Sequence, residues 1–363
     1  MPFPTGAHRS RFIALVACAL SFSAGCSCSR RVPEPESTQK SAPASSAVTS
    51  AAASSRSPSL SSSSPPAPSS SSSAGSAPRA AAEPTERLSL SSSAYQASLA
   101  VDEDAVYVLT SDAAYRVPNV GHVQKTALDL GIGPALTRGF VLFWSKGGLF
   151  RAPKRGGKAQ RIATLAHQPQ YFVSSGDAFA WLDHEDSGKF SIQTLDRRKP
   201  KLLYSAPGMI DAVTMIQDSV FFVERVAEGS WRFGRVSVTG GAPDFSAPKS
   251  GRSPAMLAGT REVTYYDGNQ LEVRALSPDF QHEATLIKDF ICSPIAVADR
   301  VYCGQMQGLY ELPGSGKPAR LMMENGRAPM AALAASRTRV AWLSDTGPDR
   351  LTLKTLTLGD ARP

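Results

Sequence analysis

Between Tyr95 and Pro363 the chain repeats one short phrase seven times, at intervals of 35 to 43 residues. Each copy holds an aromatic or β-branched triplet, a polar turn and a second short apolar run. The triplets are Val106-Tyr107-Val108, Val141-Leu142-Phe143, Phe179-Ala180-Trp181, Val220-Phe221-Phe222, Val263-Thr264-Tyr265, Val301-Tyr302-Cys303 and Val340-Ala341-Trp342. A repeat of this period built only from strands is the sequence mark of four-stranded blades set around an axis, a β-propeller. Such a ring hosts enzymes and docking platforms alike, so the repeat constrains architecture more than activity.

The first two copies set the grammar. AVYVLTSDAAYRVPNVG and FVLFWSKGGLFRAPKRGG stand in register, 35 residues apart. In each, two strands flank a short turn and run into Arg-x-Pro followed by glycine. Gly121 and Gly156-Gly157 suit the positive φ of a tight connection, and Gly240-Gly241 and Leu312-Pro313-Gly314 repeat the punctuation. An apolar segment precedes each triplet (Ala97–Val101, Tyr171–Val173, Ala212–Ile216, Ile295–Val297, Met330–Leu333). A further strand follows each punctuation (Gln160–Leu165, Lys201–Tyr204, Thr285–Lys288, Arg320–Met323). The expectation is an all-β, seven-bladed propeller over residues 86–363, with six blades as the alternative if one weak repeat is miscounted. The seventh repeat stops at Leu351–Leu358, its third strand, and would leave an open edge. Glu86-Arg87-Leu88-Ser89-Leu90-Ser91 alternates with period two and can supply the missing strand, closing the ring with the two ends of the chain.

The stretch Phe150-Arg151-Ala152-Pro153-Lys154-Arg155-Gly156-Gly157 follows the phrase hydrophobic-Arg-x-Pro-x-x-Gly-Gly. It resembles repeats of bacterial exported propellers, including TolB-like proteins and related lipoproteins. The resemblance covers most of 95–358. It implies a propeller in an envelope setting and carries over no active-site residue.

The N-terminus points to export. His8, Arg9 and Arg11 precede an apolar run from Phe12 to Gly25, fourteen residues long and too short to span a bilayer, which needs about 20. A basic start, a short apolar stretch and small residues at its end read as a secretory signal over 1–25. Ser23-Ala24-Gly25-Cys26 resembles a bacterial lipobox, which implies cleavage before Cys26 and acylation of that cysteine; the alternative is cleavage to a soluble secreted protein. Residues 26–85 are rich in Ser, Ala and Pro, and no aromatic residue occurs between Ser27 and Ala94. Such a composition buries too little apolar surface to offset its ordering entropy, so this stretch reads as a disordered tether. About 60 residues of flexible coil reach roughly 40–45 Å. The expected location is the bacterial cell envelope, anchored by lipid on the outer membrane, or otherwise periplasmic or secreted.

Cysteine usage agrees with an exported compartment. Once the signal and Cys26 are set aside, Cys28, Cys292 and Cys303 remain. Cys292 and Cys303 flank a tight turn at Ala298-Asp299, which places them on neighbouring antiparallel strands as a candidate disulfide. The alternative is a pair of buried thiols acting as small hydrophobes.

Chemistry-bearing motifs are scarce. The four histidines of the mature chain, His122, His167, His184 and His282, are scattered over different repeats. There is no Gly-x-Ser-x-Gly, no His-Glu-x-x-His, no phosphate-binding glycine loop and no Cys-x-x-Cys. No cofactor and no metal is expected. In a four-stranded blade the connections before strand one and between strands two and three share one face. That face gathers Pro134, Pro169, Pro207, Pro254, Pro294 and Pro329, and the acidic hairpin with the ligand-face candidates Asp183, His184 and Asp186. Proline there also stops a strand from pairing onward. The opposite face gathers Lys154, Arg155, Lys158 and Arg161 with Arg197, Arg198, Lys199 and Lys201, a basic patch able to attract an anionic polymer or an acidic protein. Loss of Arg9 and Arg11 with the signal lowers the formal net charge from +8 to about +6. Nucleic acid is not an expected partner, because no aromatic residues interleave with these cations. The reading is a tethered binding or scaffold module for a protein or anionic envelope polymer. The alternative is an exported propeller hydrolase or lyase acting on carbohydrate, with its site on the proline-bearing face.

Overall fold

The computed structural model describes residues 84–358 apart from 92–96, 128–130, 293–294, 299, 315–316, 325–328 and 348–349. The signal, Cys26, Cys28, nearly all of the tether and Pro294 lie outside the described residues. What is described is a ring of seven antiparallel sheets. The chain opens with β1 (Thr85–Ser91), which belongs to the last blade. Blade 1 is β2 (Ser98–Val101), β3 (Ala105–Leu109), β4 (Ala113–Pro118) and β5 (Gln124–Ala127). Blade 2 is β6 (Ile132–Leu136), β7 (Phe140–Ser145), β8 (Gly148–Pro153) and β9 (Gln160–Thr164). Blade 3 is β10 (Pro169–Ser175), β11 (Ala178–His184), β12 (Phe190–Asp196) and β13 (Lys199–Ala206).

Blade 4 is β14 (Ile210–Ile216), β15 (Ser219–Ala227) and β16 (Ser230–Ser237), with an outer edge split into β17 (Asp244–Phe245) and β18 (Lys249–Ser250). Blade 5 is β19 (Leu257–Gly259), β20 (Val263–Asp267), β21 (Glu272–Leu276) and β22 (Glu283–Ile287). Blade 6 is β23 (Ile295–Val297), β24 (Val301–Gly304), β25 (Gly308–Leu312) and β26 (Arg320–Glu324). Blade 7 is β27 (Met330–Ala335), β28 (Arg339–Gly347) and β29 (Arg350–Thr357), completed by β1. The innermost strands touch in the cycle β2, β6, β10, β14, β19, β23, β27 and back to β2, which closes the ring.

The apolar triplets sit on the second strand of every blade, where both sides are covered by neighbouring blades. A strand buried on both faces reads as a continuous apolar run rather than an alternation. Successive side chains point to opposite blades. Val106 and Val108 pack toward blade 7 with Leu343, Leu351 and Leu353, while Tyr107 between them packs toward blade 2 with Val141. Trp181 packs with Trp144 and Leu149 of blade 2, and its neighbours Ala180 and Leu182 join Val220 and Phe222 of blade 4. One apolar cluster fills each of the seven interfaces, so the core is itself a ring.

The seam follows the sequence-based expectation. β1 pairs with β29 in antiparallel register, Thr85 opposite Thr355 and Leu90 opposite Leu351, and Leu90 is buried. Polar contacts lock the join. The Glu103 carboxylate accepts from the Ser336 hydroxyl at 3.2 Å, from the Arg337 amide at 3.3 Å and from the Thr338 hydroxyl at 2.5 Å, and the Arg339 guanidinium donates to the Glu103 carbonyl at 2.5 Å. A related device recurs between blades, in which a basic side chain near an outer strand reaches a carbonyl in the next blade's connection between strands three and four. Arg87 reaches Pro118 and Asn119, Arg116 reaches Lys154, Lys201 reaches Thr239 and Arg235 reaches Pro278. Each bond satisfies a loop carbonyl that no ladder can pair.

Candidate functional site

Strand direction sorts every connection onto one of two faces. The connections between blades and the hairpins between second and third strands form the upper face. The hairpins between first and second strands, and between third and fourth, form the lower face.

Apolar exposure is distributed unevenly between them. Large hydrophobic side chains exposed on the upper face are Tyr171, Met209, Val226, Met256, Leu271, Ile291 and Met306. All belong to blades 3 to 6 or to the connections leading into them. Ile291 and Met306 are the most open of these, at 62% and 60%. The remaining exposed large hydrophobics are Val120 and Val123 on the lower face of blade 1, and Leu202 and Leu321 on outer strands. Scattered exposed hydrophobics need no explanation, but a set gathered on one face of adjacent blades does.

The loops that carry this set are held rigid. Cys292 and Cys303 form a disulfide with Cα atoms 5.5 Å apart. It is not a cross-strand pair: Cys303 on β24 faces Ile295 of β23, and Cys292 lies upstream in the connection entering the blade. The bond therefore pins the residue next to Ile291 to the strand that leads into Met306. The Gln305 amide, beside Met306, also donates to the Ile291 carbonyl. One blade earlier, the Asn269 side chain clasps the backbone of Arg252 at 3.0 and 3.1 Å, which ties the blade 5 hairpin to the loop ahead of Met256.

In blade 4, a β-bulge between Ile210 and Ala212 sets Asp211 apart. Its carboxylate accepts from Arg225 at 2.6 Å and from Ser253, in the loop before blade 5, at 2.5 Å. Gly208 lets that connection run against β15, since a Cβ there would come within 2.1 Å of the Arg225 carbonyl oxygen. This contact places Met209 beside the end of the strand that bears Val226.

The acidic hairpin of blade 3 lies on the same face, but its three candidates diverge. Asp183 is 3% exposed, accepts from the Gln193 amide at 2.9 Å through one oxygen, and has no partner for the other. Burial raises its pKa against the opposing pull of His167. His184 points to the other side of the strand and stacks on Phe190, ring centres 4.3 Å apart. Asp186 is exposed at the tip of a turn closed by Glu185 and Lys189. Among the described residues no three His, Cys, Asp or Glu side chains gather where a cation could be held. Pro169 starts β10, Pro134 lies within β6, and Pro254 and Pro329 directly precede blades 5 and 7.

On the lower face the basic residues divide. Lys154 is engaged with Asp102 at 3.1 Å, and Lys201 donates to Thr239. Arg161, on β9, leaves the expected patch: its guanidinium donates to the Gly147 carbonyl in the upper-face hairpin of blade 2 at 3.3 Å. Arg155 and Lys158 in blade 2, with Arg197, Arg198 and Lys199 in blade 3, are exposed. Farther round, a cleft of about 520 Å³ opens on blade 6. Its Arg300 and Arg320 both pair with the buried Glu311 carboxylate.

No known family profile matches this chain, and no curated protein matches it in sequence. Solved structures do match in fold. The β-propeller domain of Cps50 (Swd1) from Myceliophteria thermophila superposes with a TM-score of 0.52 at 13% identity, over 75% of this chain and 99% of that one. A chain of the mitotic checkpoint complex gives 0.51 at 9% identity, over 77% and 92%. An extracellular domain from B. thetaiotaomicron gives 0.50 at 9% identity, over 70% of this chain and 37% of that one. At these identities the likeness bears on the fold alone, and it agrees with the ring of seven sheets: the described residues form a seven-bladed β-propeller.

Proposed function

We propose that this protein is an envelope binding module, anchored through lipid at Cys26, that receives a protein partner on the upper face of blades 3 to 6. The observation that carries the reading is the set of exposed Tyr, Met, Val, Leu and Ile side chains on that face. Methionine and aromatic side chains are enriched where interfaces form, and they release the most water per residue when covered. The disulfide, the Asn269 clasp and the Asp211 clamp keep the loops in place before binding, which lowers the ordering cost of association. The divergent directions of Asp183, His184 and Asp186 favour docking over turnover, because catalysis needs its groups aimed at one point.

A photo-crosslinking residue at Met306 or Ile291 is expected to capture one discrete protein in intact cells, whereas the same residue at Leu202 is expected to capture none. Equal labelling from all three positions would sink the assignment of this face. The anchor has its own test: Cys26→Ser is expected to move the protein out of the membrane fraction.

A further inference from the structure

The direction of β1 carries a consequence for the basic residues of the lower face. β1 is the fourth strand of its blade, so it runs from the lower face to the upper, with Thr85 opposite Thr355 near the end of β29. Arg87 independently marks the same end, because its guanidinium donates to Pro118 and Asn119 in a lower-face connection of blade 1. The chain ahead of Pro84 therefore joins the ring on the lower face. Arg155, Lys158, Arg197, Arg198 and Lys199 are exposed on that same face, in the adjacent blades 2 and 3. Arg197 and Arg198 form the two-residue tip of the β12–β13 hairpin, with φ of 48° and 71°, and both side chains are exposed. The carboxylates of this and the flanking lower-face connections are Asp196, Asp177, which is paired with Arg138 at 3.6 Å, Asp102, which is paired with Lys154, Glu103, which is turned to Ser336 and Thr338, and the exposed Asp104 of blade 1 and Asp218 of blade 4, fewer than the cations of blades 2 and 3. A net positive charge remains.

We propose that the lower face of blades 2 and 3 docks on an anionic lipid surface, the one to which the chain's own N-terminus is fixed, and holds the upper face outward toward its partner. This rests on the lipid-anchored reading of the N-terminus. Each basic side chain near an anionic leaflet strengthens adsorption about fivefold, and the effect fades within a Debye length of about 8 Å at physiological salt. A free head with five such cations would adsorb weakly. A head whose N-terminus is fixed in the membrane is kept at high effective concentration near the surface, where weak adsorption suffices to orient it. A soluble polyanion shares the charge chemistry, but the shared face of cations and chain attachment favours the membrane.

The test uses the chain from residue 26 onward carrying Cys26→Ser, so that adsorption is read without the signal's apolar run and without the anchor. It is sedimented with vesicles of phosphatidylcholine alone or with phosphatidylglycerol added, at low and high salt. Binding is expected only with the anionic lipid, falling at least tenfold as salt rises. Arg197→Glu with Arg198→Glu is expected to weaken it at least tenfold, as is Arg155→Glu with Lys158→Glu, which leaves the hairpin untouched. The upper-face pair Lys146→Glu with Lys189→Glu is expected to stay within about twofold of the parent. Equal losses from upper and lower reversals would overturn the proposal. So would undiminished binding to phosphatidylcholine, or capture of a soluble anionic polysaccharide without binding to the vesicles. None of these readings involves Met306 or Ile291, so failure here leaves the partner-docking reading to its own crosslinking test.

Discussion

The two faces of this ring are made from the same kinds of connection, yet they present opposite chemistry. Above blades 3 to 6 the loops carry exposed methionine, isoleucine, valine, leucine and tyrosine on a frame locked by a disulfide and side-chain clasps. Below, apart from Val120 and Val123 in blade 1, the connections are mainly polar. They close the seam through Glu103, link blade to blade through Arg and Lys bonds to loop carbonyls, and expose cations in blades 2 and 3. Both faces are held together by polar contacts, so rigidity alone does not separate them. The difference lies in what is left over once those contacts are made: apolar area above, positive charge below. Apolar area is stabilised by a shaped partner that excludes water, whereas positive charge needs only an anionic surface at short range.

The largest effect that would break this contrast is on binding. Met209→Ser, Ile291→Ser and Met306→Ser together are expected to reduce partner capture at least a hundredfold. They should change unfolding free energy by no more than about 0.5 kcal/mol each, since exposed positions contribute little to folding. Chemical denaturation read beside crosslinking decides it, and a collapse in stability would show that these side chains belong to the core.

A smaller effect is expected from Cys292→Ala with Cys303→Ala. Closing a loop of this size stabilises a fold by about 2–3 kcal/mol, which in a domain of this size lowers Tm by several degrees. Partner capture from Met306 should fall severalfold as the two loops lose their tie. An unchanged crosslinking yield at a lowered Tm would mean that the bond serves the fold and leaves the face unaffected.

The smallest effect is a difference in the sign of a pH dependence. On the upper face Asp183 has a raised pKa because it is buried, so ionising it costs stability that was present at lower pH. Its contribution is complete below the ordinary carboxylate value of about 4 and is lost as pH rises through its folded value. On the lower face burial also opposes ionisation of Asp102, but hydrogen bonds from the Ala105 and Asp104 amides and the Lys154 ammonium outweigh it and lower the pKa. Its contribution is present above about pH 4 and is lost as pH falls through the lowered value. Differences in Tm between the parent and Asp183→Asn, and between the parent and Asp102→Asn, should therefore trend in opposite directions across pH 3 to 7. Parallel trends would refute this assignment.

Much of the ring was legible in the chain. The triplets mark the second strands because those strands are the most completely covered on both sides, and the alternation in Glu86–Ser91 marks the closing strand at the outer edge of its blade. The split edge of blade 4 at β17 and β18 was not legible. Lys249 and Phe245 are placed there by contacts with residues far along the chain, among them the bond from Lys249 to Glu283 at 2.5 Å and the stacking of Arg232 on Phe245. The disulfide partners could be named, but their placement could not. A tight turn suggests cross-strand pairing, whereas the bond reaches from a connection whose path depends on the neighbouring blade.

The candidate site divides the same way. Asp183, His184 and Asp186 lie close in sequence and were grouped for that reason, yet strand alternation turns the first two to opposite sides and leaves the third at a tip. The upper-face set could not be found from sequence, because Tyr171, Met209, Met256 and Ile291 adjoin apolar residues that enter the core and read as part of the same segments, and all five, with Met306, are spread over four repeats.

By itself, the sequence determined the repeat, with seven blades expected and six left open, the strand that closes the ring and the sorting of loops onto two faces. These depend on periodicity and strand direction, which are local. Only the tertiary structure decided which apolar side chains remain exposed, which cations are already paired and where the chain joins the ring. Those depend on what the neighbouring blade covers, and that neighbour is set by closure of the whole ring.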